Sequence, residues 1–540
     1  MDCTASFLAY AQTGYFSKIV LDYIKQDPMI QPFYSHPVSI DGVEAAIADR
    51  KKFPTDRKLL VNVLQKQYAS VETSEPVAKN LDLLQHENTF TICTAHQPNI
   101  FTGPLYFIYK ILHVIKLAEQ LKAQLPDNNF IPVYYMGSED ADLEELGHIH
   151  INGERHEWKT TQAGAVGRMN VDKGLIKLLD TISGQLLVQP FGAEIVGLMK
   201  ECYQEGVTIE QATFRLVNKL FADYGLVILL PDNAELKAAY IPVIEKELTS
   251  GFSHGKVQET IAAFPADYKV QASGRELNMF YLSDGRRDRI EQENNEWLVV
   301  NTTLKFTQEQ LLTELKEHPE RFSPNVILRP VFQEWILPDI AFIGGGGEIA
   351  YWLQLKKVFE AAQVPYPILI LRNSFLFITS DIQALVNKLQ LDHSVLFQAE
   401  QPIFNQLVKR ESTLQLSLEN EKAQLNAVYD QLKKIAGNID ITLQGHTEAL
   451  QIKALKKIAE LEKKMLRAEK RKFEAAQRKL QKIKAALFPN NSLQERVDNL
   501  MPYYAVWGKE FIRMIYDHSN GLDQEFVIVT EKSAVAVSNG

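Results

Sequence analysis

The chain has 540 residues, 46% of them hydrophobic and 23% charged, and a formal net charge of −9. That is the composition of a globular protein, and the length is too great for one simple core, so two to four domains are expected. The acidic balance excludes a protein that coats nucleic acid generally, and no long apolar run or signal-like N-terminus points to a membrane or to export.

Cys3, Cys93 and Cys202 are odd in number and far apart, which suits a reducing cytoplasm without a disulfide framework. No tight Cys/His cluster offers a tetrahedral set, so no structural zinc is expected.

Residues 1 to about 88 read mostly as helices, with FLAYAQTGYFSKIVLDYI carrying one apolar face and Pro28, Pro32 and Pro37 breaking the helical pattern beyond it. Thr89–Thr94 then reads as a strand, rich in β-branched residues. From Leu105 onward Ile108, Ile111, Leu112, Ile115, Ala118 and Leu121 recur at helical spacing. The connecting loop, 95–104, offers Thr102 as an N-cap and Pro104 in the first turn. Such a loop aims backbone N–H groups at whatever lies above the sheet, and so suits a phosphate or carboxylate; an ordinary βα turn fits the local pattern equally well.

A second apolar strand, 130–136, runs into Gly137-Ser138-Glu139-Asp140-Ala141-Asp142. Acids at the carboxyl end of a strand sit where open α/β sheets bind ligands. They suit a substrate ammonium group or a metal bridging phosphates; a helix cap is the plainer alternative. Residues 148–159 alternate like a strand, 226–230 form a short buried strand closing on Pro231-Asp232-Asn233, and Ser283-Asp284-Gly285 reads as a turn between two strands. Arg275 is a candidate carboxylate clamp or an ordinary salt-bridge partner.

A third motif repeats the first. Residues 340–343 read as a strand, Gly344–Gly347 as a turn, and Glu348 opens a helix with Ile349, Trp352, Leu353 and Phe359 on one side. The turn is neither a Walker loop nor a dinucleotide fingerprint. Residues 365–379 supply another buried strand, with Arg372 near its end.

Beyond about 395 the pattern becomes heptad-like. Leu414, Leu418, Leu425, Val428, Leu432 and Ile435 alternate three and four apart, with Glu421 filling the missing step; Gly437–Asp440 breaks the run, and Leu450 to Leu487 resumes it. This reads as an antiparallel coiled-coil hairpin whose narrow seam another chain or the main body must cover; a homodimer assembled at least partly through it is expected. The stretch 453–484 holds 13 Lys or Arg and 4 Glu, a net of +9. Because glutamates interleave the lysines, a solvated helix face is favoured over an RNA-binding arm. The tail from 491 is expected to return to the core.

Three segments in this order carry a resemblance: AHQPNIFTGPLYFIYK (Ala95–Lys110), PVYYMGSEDADLEE (Pro132–Glu145) and RPVFQEWILPDIAFIGGGGEIAYWLQLK (Arg329–Lys356). Over nearly its whole length the chain resembles the BshC family, the cysteine-adding enzymes of bacillithiol biosynthesis. The resemblance implies an α/β fold: a Rossmann-like core related to class I aminoacyl-tRNA synthetases, with inserted connecting subdomains and an α-helical coiled-coil domain. Domain limits are expected at 1–150 and 326–394 for the core, 151–325 for insertions and further core elements, 395–490 for the hairpin and 491–540 for the returning tail.

The implied activity is that of a carbon–nitrogen ligase joining cysteine to the amine of glucosaminyl malate, with ATP the expected co-substrate, Mg2+ its companion ion, and no membrane or nucleic-acid partner. A synthetase-like RNA- or nucleotide-binding protein without ligase activity is the alternative. With the strand-end positions, the resemblance implies a catalytic set of Glu139, Asp140 and Asp142. It also implies binding roles for His96, Gln97, Asn99, Thr102, Gly103, Tyr106, Lys110 and Ser138, and for Arg329, Gln333, Gly344, Gly345, Gly346, Gly347, Glu348, Tyr351 and Gln354. The chain departs from the family pattern at His96 for glutamine, Ala141 for histidine and Gly346 for a frequent proline. Where class I synthetases have HxGH, Phe101-Thr102-Gly103-Pro104 keeps only the glycine.

Overall fold

Apolar strands alternating with helices build a five-stranded, all-parallel sheet in the computed structural model, which describes residues 2–532. Its strands are β1 (Thr89–His96), β2 (Asn129–Met136), β3 (Val227–Leu229), β4 (Asp339–Gly344) and β5 (Ile368–Leu371), in the spatial order β5-β4-β1-β2-β3. Every residue of β1 is buried, as in sheets covered on both faces, which is why these strands read as apolar runs rather than alternations. β1 and β2 pair in register from Thr89↔Asn129 to His96↔Met136, so their carboxyl ends finish level. From β1 the chain steps outward through β2 and β3, then crosses back to β4 and β5 on the other side. The direction of winding therefore switches between β1 and β4, where an open sheet forms a crevice beyond its strand ends.

The Tyr106–Gln124 helix seals one face through Val114, Leu117 and Leu121 against Phe90, Ile92, Ile343 and Ile370. Five antiparallel strands form a second sheet that includes the Met279–Ser283/Arg286–Glu293 hairpin. A three-stranded sheet joins Cys3–Leu8, Phe526–Glu531 and Ser374–Ile378. No helix of the described residues is long and apolar enough to cross a membrane.

Several elements differ from the sequence reading. The N-terminal region contains the strand Cys3–Leu8; only Phe7 and Leu8 in it are large and apolar, and they merge with the helical pattern that follows. Thr102 caps no helix: it has φ +74, and Leu105 occupies the N-cap position, leaving Pro104 outside. Residues 148–159 fold as a hairpin, His148–Ile151 with Glu154–Glu157. The helix after the glycines begins at Gly346 and stops at Trp352, so Phe359 lies on a separate helix, Lys356–Ala362. The 365–379 run splits at Arg372-Asn373 into strands of two different sheets.

The chain divides into two compact units. The first consists of Tyr15–Phe377 and Ser492–Val529 with the N-terminal residues up to Ala11; the second is mainly Ile378–Asn491. In the second unit Glu419–Ile439 and Leu443–Lys470 run antiparallel, tied by Lys422–Glu462 at 2.7 Å and Lys433–Glu448 at 2.9 Å. A 3-10 turn, Arg471–Phe473, separates them from Glu474–Leu487. Leu414 and Leu418 precede the first long helix instead of belonging to its seam, and the break falls after Ile439, since Gly437 is still helical. A Cβ on Gly437 would stand 2.2 Å from Gln444, so glycine there permits the close turn. The apolar seam is open in part: Val428, Leu432 and Ile435 remain 51%, 45% and 59% exposed, whereas Leu425, Ala454, Ile458 and Met465 are half-buried. Contact within the hairpin uses mixed pairs such as Asn426 with Gln451.

Candidate active site

A cavity of about 570 Å³ opens at the switch between β1 and β4, and all its lining residues belong to the first unit. That volume is in the range of small-molecule sites. β1 delivers Ala95, His96 and Gln97, the following helix adds Tyr106 and Lys110, β2 ends in Ser138, Glu139 and Asp140, and Gly345, Gly346 and Gly347 follow β4. Parallel strands finishing at one edge bring these distant segments together. None of Gly344–Gly347 has positive φ, so these glycines serve by lacking a side chain.

The β1, β4 and β5 side is cationic. Lys110, fully buried, donates to Ala95 O at 3.0 Å and forms an ion pair with Glu348. Glu348 in turn accepts from Gly345 N at 2.8 Å, which fixes the glycine turn to the first helix. Burial pulls the Lys110 ammonium below its ordinary pKa, against the pull of Glu348. Arg372 is held from behind: its Nη2 donates to buried Glu495 at 2.7 Å and its Nη1 to Ser374 Oγ at 3.2 Å. Its Nε has no hydrogen-bond partner among the described residues, and neither has His96 Nε2. Burial, then the nearby Lys110 and Arg372 charges, hold His96 well below its usual pKa, so it is neutral. Arg329 completes this wall, donating to Tyr351 Oη at 3.1 Å and to Gln333 Oε1 at 3.2 Å, with Tyr135 beneath its guanidinium.

The β2 side is acidic. Glu139 lines the cavity and pairs with buried Lys237. Asp140 accepts from Gln97 Nε2 at 3.1 Å and from Asp142 N at 3.2 Å. Arg287 reaches this side from the antiparallel sheet, and burial lowers its pKa against the pull of Glu139, Asp140 and Asp232. Among the described residues no group of three or more His, Cys, Asp or Glu is arranged to hold a metal ion.

Some residues assigned from the sequence stand elsewhere. Asp142 is exposed and caps the short Leu143–Leu146 helix through Glu145 N, the plainer of its two readings; Glu145 lines the cavity instead. Asn99, Thr102 and Gly103 do not line it, because their loop turns down against the tail, where Asn499 Nδ2 donates to Phe101 O and Gly103 O. Gln333 supports Arg329 from behind, and Gly344 is the last residue of β4. Gln354 secures the 271–272 backbone through Gln271 N and Ala272 O. Arg275 is exposed and outside the lining. The sequence reading missed Arg287, Arg496, Glu495 and Lys237. Of these only Arg287 had a local signal, its place beside the Ser283–Gly285 turn.

Residues 1–373 match the family model described as "Bacillithiol biosynthesis BshC, N-terminal Rossmann-like domain", and residues 375–531 match "Bacillithiol biosynthesis BshC, C-terminal coiled-coil domain". A Flavobacterium johnsoniae protein described as "Putative cysteine ligase BshC" is 38% identical over 525 residues, covering 97% of this chain and 99% of that one. A protein of the same description from Flavobacterium psychrophilum is 39% identical over 525 residues, covering 97% and 98%. A crystal structure described as a "putative arginyl t-RNA synthetase" from Campylobacter jejuni overlaps 87% of this chain and 99% of its own, with 10% identity and a TM-score of 0.23. That superposition is too poor to bear on kinship with synthetases, and the Rossmann-like assignment rests on the sheet and the family model.

Proposed function

Because the chain belongs to the BshC family of bacillithiol biosynthesis, we propose that it is a carbon–nitrogen ligase joining the carboxyl group of L-cysteine to the amine of glucosaminyl malate in the last step of that pathway. The observation that carries this reading is a single cavity in which an anion-seeking corner faces a carboxylate edge. Arg372 Nε and His96 Nε2 are buried polar atoms without partners among the described residues, and the Gly345–Gly347 backbone beside them has no side chains in the way. Unsatisfied buried donors are costly, so such a corner favours a phosphate or carboxylate oxygen.

ATP is the expected source of activation, since a free carboxylate does not condense with an amine in water. The corner fits its anionic groups; Lys110, Arg372 and the Gly345–Gly347 backbone would hold them, and Mg2+ would accompany the nucleotide. When bound, ATP supplies the leaving group that the cysteine carboxyl lacks. Across the cavity, Glu139 and Asp140 receive the substrate amine, orient its lone pair toward the carboxyl carbon and take up the proton it sheds as the amide forms. Arg287 and Arg329 are placed for the substrate's own carboxylates.

The reading includes a cytoplasmic location and a homodimer. The dimer covers the Val428–Leu432–Ile435 stripe, which nothing within the described hairpin buries. A thiol profile of cells with and without the gene tests the function: loss of bacillithiol with accumulation of glucosaminyl malate is expected. An unchanged profile in cells with no second copy of the gene contradicts it.

A further inference from the structure

Below the acidic edge lies a lysine that no motif announced. β3 ends at Pro231-Asp232-Asn233, and Asn233 caps the Ala234–Ala239 helix by accepting from Glu235 N and Leu236 N. The first turn of that helix carries Lys237 inward, where it is 1% exposed. Its ammonium group makes three contacts: with Glu139 Oε1, with Asp232 Oδ1 at 3.1 Å and with Glu320 O at 3.0 Å. Three protons meet three acceptors, so the ammonium group has no donor left for a substrate. Asp232 is itself fixed by a two-point clamp, Arg168 Nε to Oδ2 at 2.6 Å and Nη2 to Oδ1 at 2.8 Å. Arg168, Asp232, Lys237 and Glu139 therefore form one chain of charge-assisted contacts ending at the cavity wall.

Only one oxygen of Glu139 is committed to that chain. No described residue donates a hydrogen bond to Oε2, while the residue lines the cavity. We propose that Lys237 is a positioning residue of the ligase site: it pins Glu139 Oε1 so that Oε2 meets the substrate amine as an oriented, ionised carboxylate. The proposal rests on the ligase reading above and adds to it how the acceptor amine is met.

Electrostatics gives the proposal a sign. Burial raises the Glu139 pKa; Lys237 opposes this, Asp232 reinforces it, and Arg287 opposes it. The other titratable groups nearby are Asp140 in the same cavity wall, Tyr135 on β2 and Glu210, which faces Ser138 and which burial raises to about 7; Arg168 is a further fixed charge. Removing the lysine charge should push the Glu139 pKa up, and removing the Asp232 charge should push it down. If the pair were merely structural, these shifts would leave the pH profile of turnover unmoved.

The experiment measures the pH profile of kcat/KM for the amine substrate in wild type, Lys237→Met and Asp232→Asn. The acid limb is expected to rise by about one pH unit or more in Lys237→Met and to fall in Asp232→Asn. Soluble, folded variants whose acid limbs coincide with wild type overturn the proposal, however low their turnover. If Lys237→Met does not fold, Asp232→Asn decides alone: a lowered limb supports the proposal and an unmoved one overturns it. A double-mutant cycle of Lys237→Met with Glu139→Gln in urea unfolding reads the pairing without turnover. A wild-type protein that makes no amide sinks the ligase reading, and the cycle then decides the Lys237–Glu139 pairing: additive effects overturn it and coupled effects uphold it.

Discussion

Two glycines of the recognised segments do opposite jobs. Gly345 has φ −72, and a Cβ there would meet only Glu348 Oε2 at 3.5 Å and Arg372 Nε at 3.7 Å, ordinary contacts. Gly345→Val is therefore expected to fold normally while filling the space between Arg372 and the Lys110–Glu348 pair. Its melting temperature should match wild type and its kcat/KM should fall roughly ten- to hundredfold, because misplacement of about 1 Å is enough for such losses. Gly103 has φ +60, follows Phe101 and Thr102 in left-handed backbone, and would bring a Cβ to 2.6 Å from Asn99 Cβ. Gly103→Ala should lower unfolding free energy by about 1–3 kcal/mol, read as a drop in the urea midpoint; an unchanged midpoint would show that the loop relaxes freely.

At the same scale, Asp339 at the start of β4 accepts from Thr91 Oγ1 at 2.8 Å and lies against Glu334, which is bonded to Arg50. Burial, then the Glu334 charge, raises the Asp339 pKa well above the ordinary carboxylate range. The native state thus holds a proton that the unfolded chain releases above about pH 4. Stability from this group is full below that pH and declines as pH rises toward the native pKa, by at most about 1.4 kcal/mol per pH unit. Asp339→Asn mimics the protonated acid, so its urea midpoint should fall less between pH 5 and pH 8 than that of wild type. Parallel pH slopes would show that Asp339 is ionised in the folded protein.

Among the elements, the sequence disclosed those whose signal is local. β1, β2, β3 and β4 are runs of β-branched and aromatic residues ending in polar or glycine turns, and a covered parallel sheet demands such runs. Cys3–Leu8 escaped because Cys3–Ser6 are small or polar and Phe7 and Leu8 read as the start of the helical stretch behind them. The heptad spacing located the long helices but not which seam residues the hairpin itself covers, because periodicity defines a face without naming its neighbour. Within the hairpin, Lys422–Glu462, Lys433–Glu448 and Asn426–Gln451 make the contact, and Val428, Leu432 and Ile435 face outward. If the proposed homodimer forms through this stripe, replacing those three with glutamate should leave helix content unchanged and lower the mass in light scattering to that of one chain; an unaltered mass would overturn that proposal.

Across the whole molecule, the site is the part that strand ends foretold and tertiary packing completed. His96, Glu139, Asp140 and Gly345 could be placed together because parallel strands present their carboxyl ends to one edge. Arg287, Arg496 and Lys237 could not, since each comes from a segment whose approach depends on how the inserted sheet, the tail and the β3 helix fold back. Asn99, Thr102 and Gly103 sat in the right motif but turned away, because Asn499 from the tail holds that loop from below. The cavity is thus lined by pieces spread from Ala95 to Arg496, and the family match likewise runs through most of the chain.

The most direct measurement incubates the purified protein with L-cysteine, glucosaminyl malate and ATP and follows products by mass spectrometry. A thiol whose mass is the sum of the two substrates less one water is expected, formed only when both substrates and ATP are present and strongly reduced in folded Gly345→Val. A folded wild-type protein that yields no such amide, or a Gly345→Val variant that yields it at the wild-type rate, would contradict that expectation.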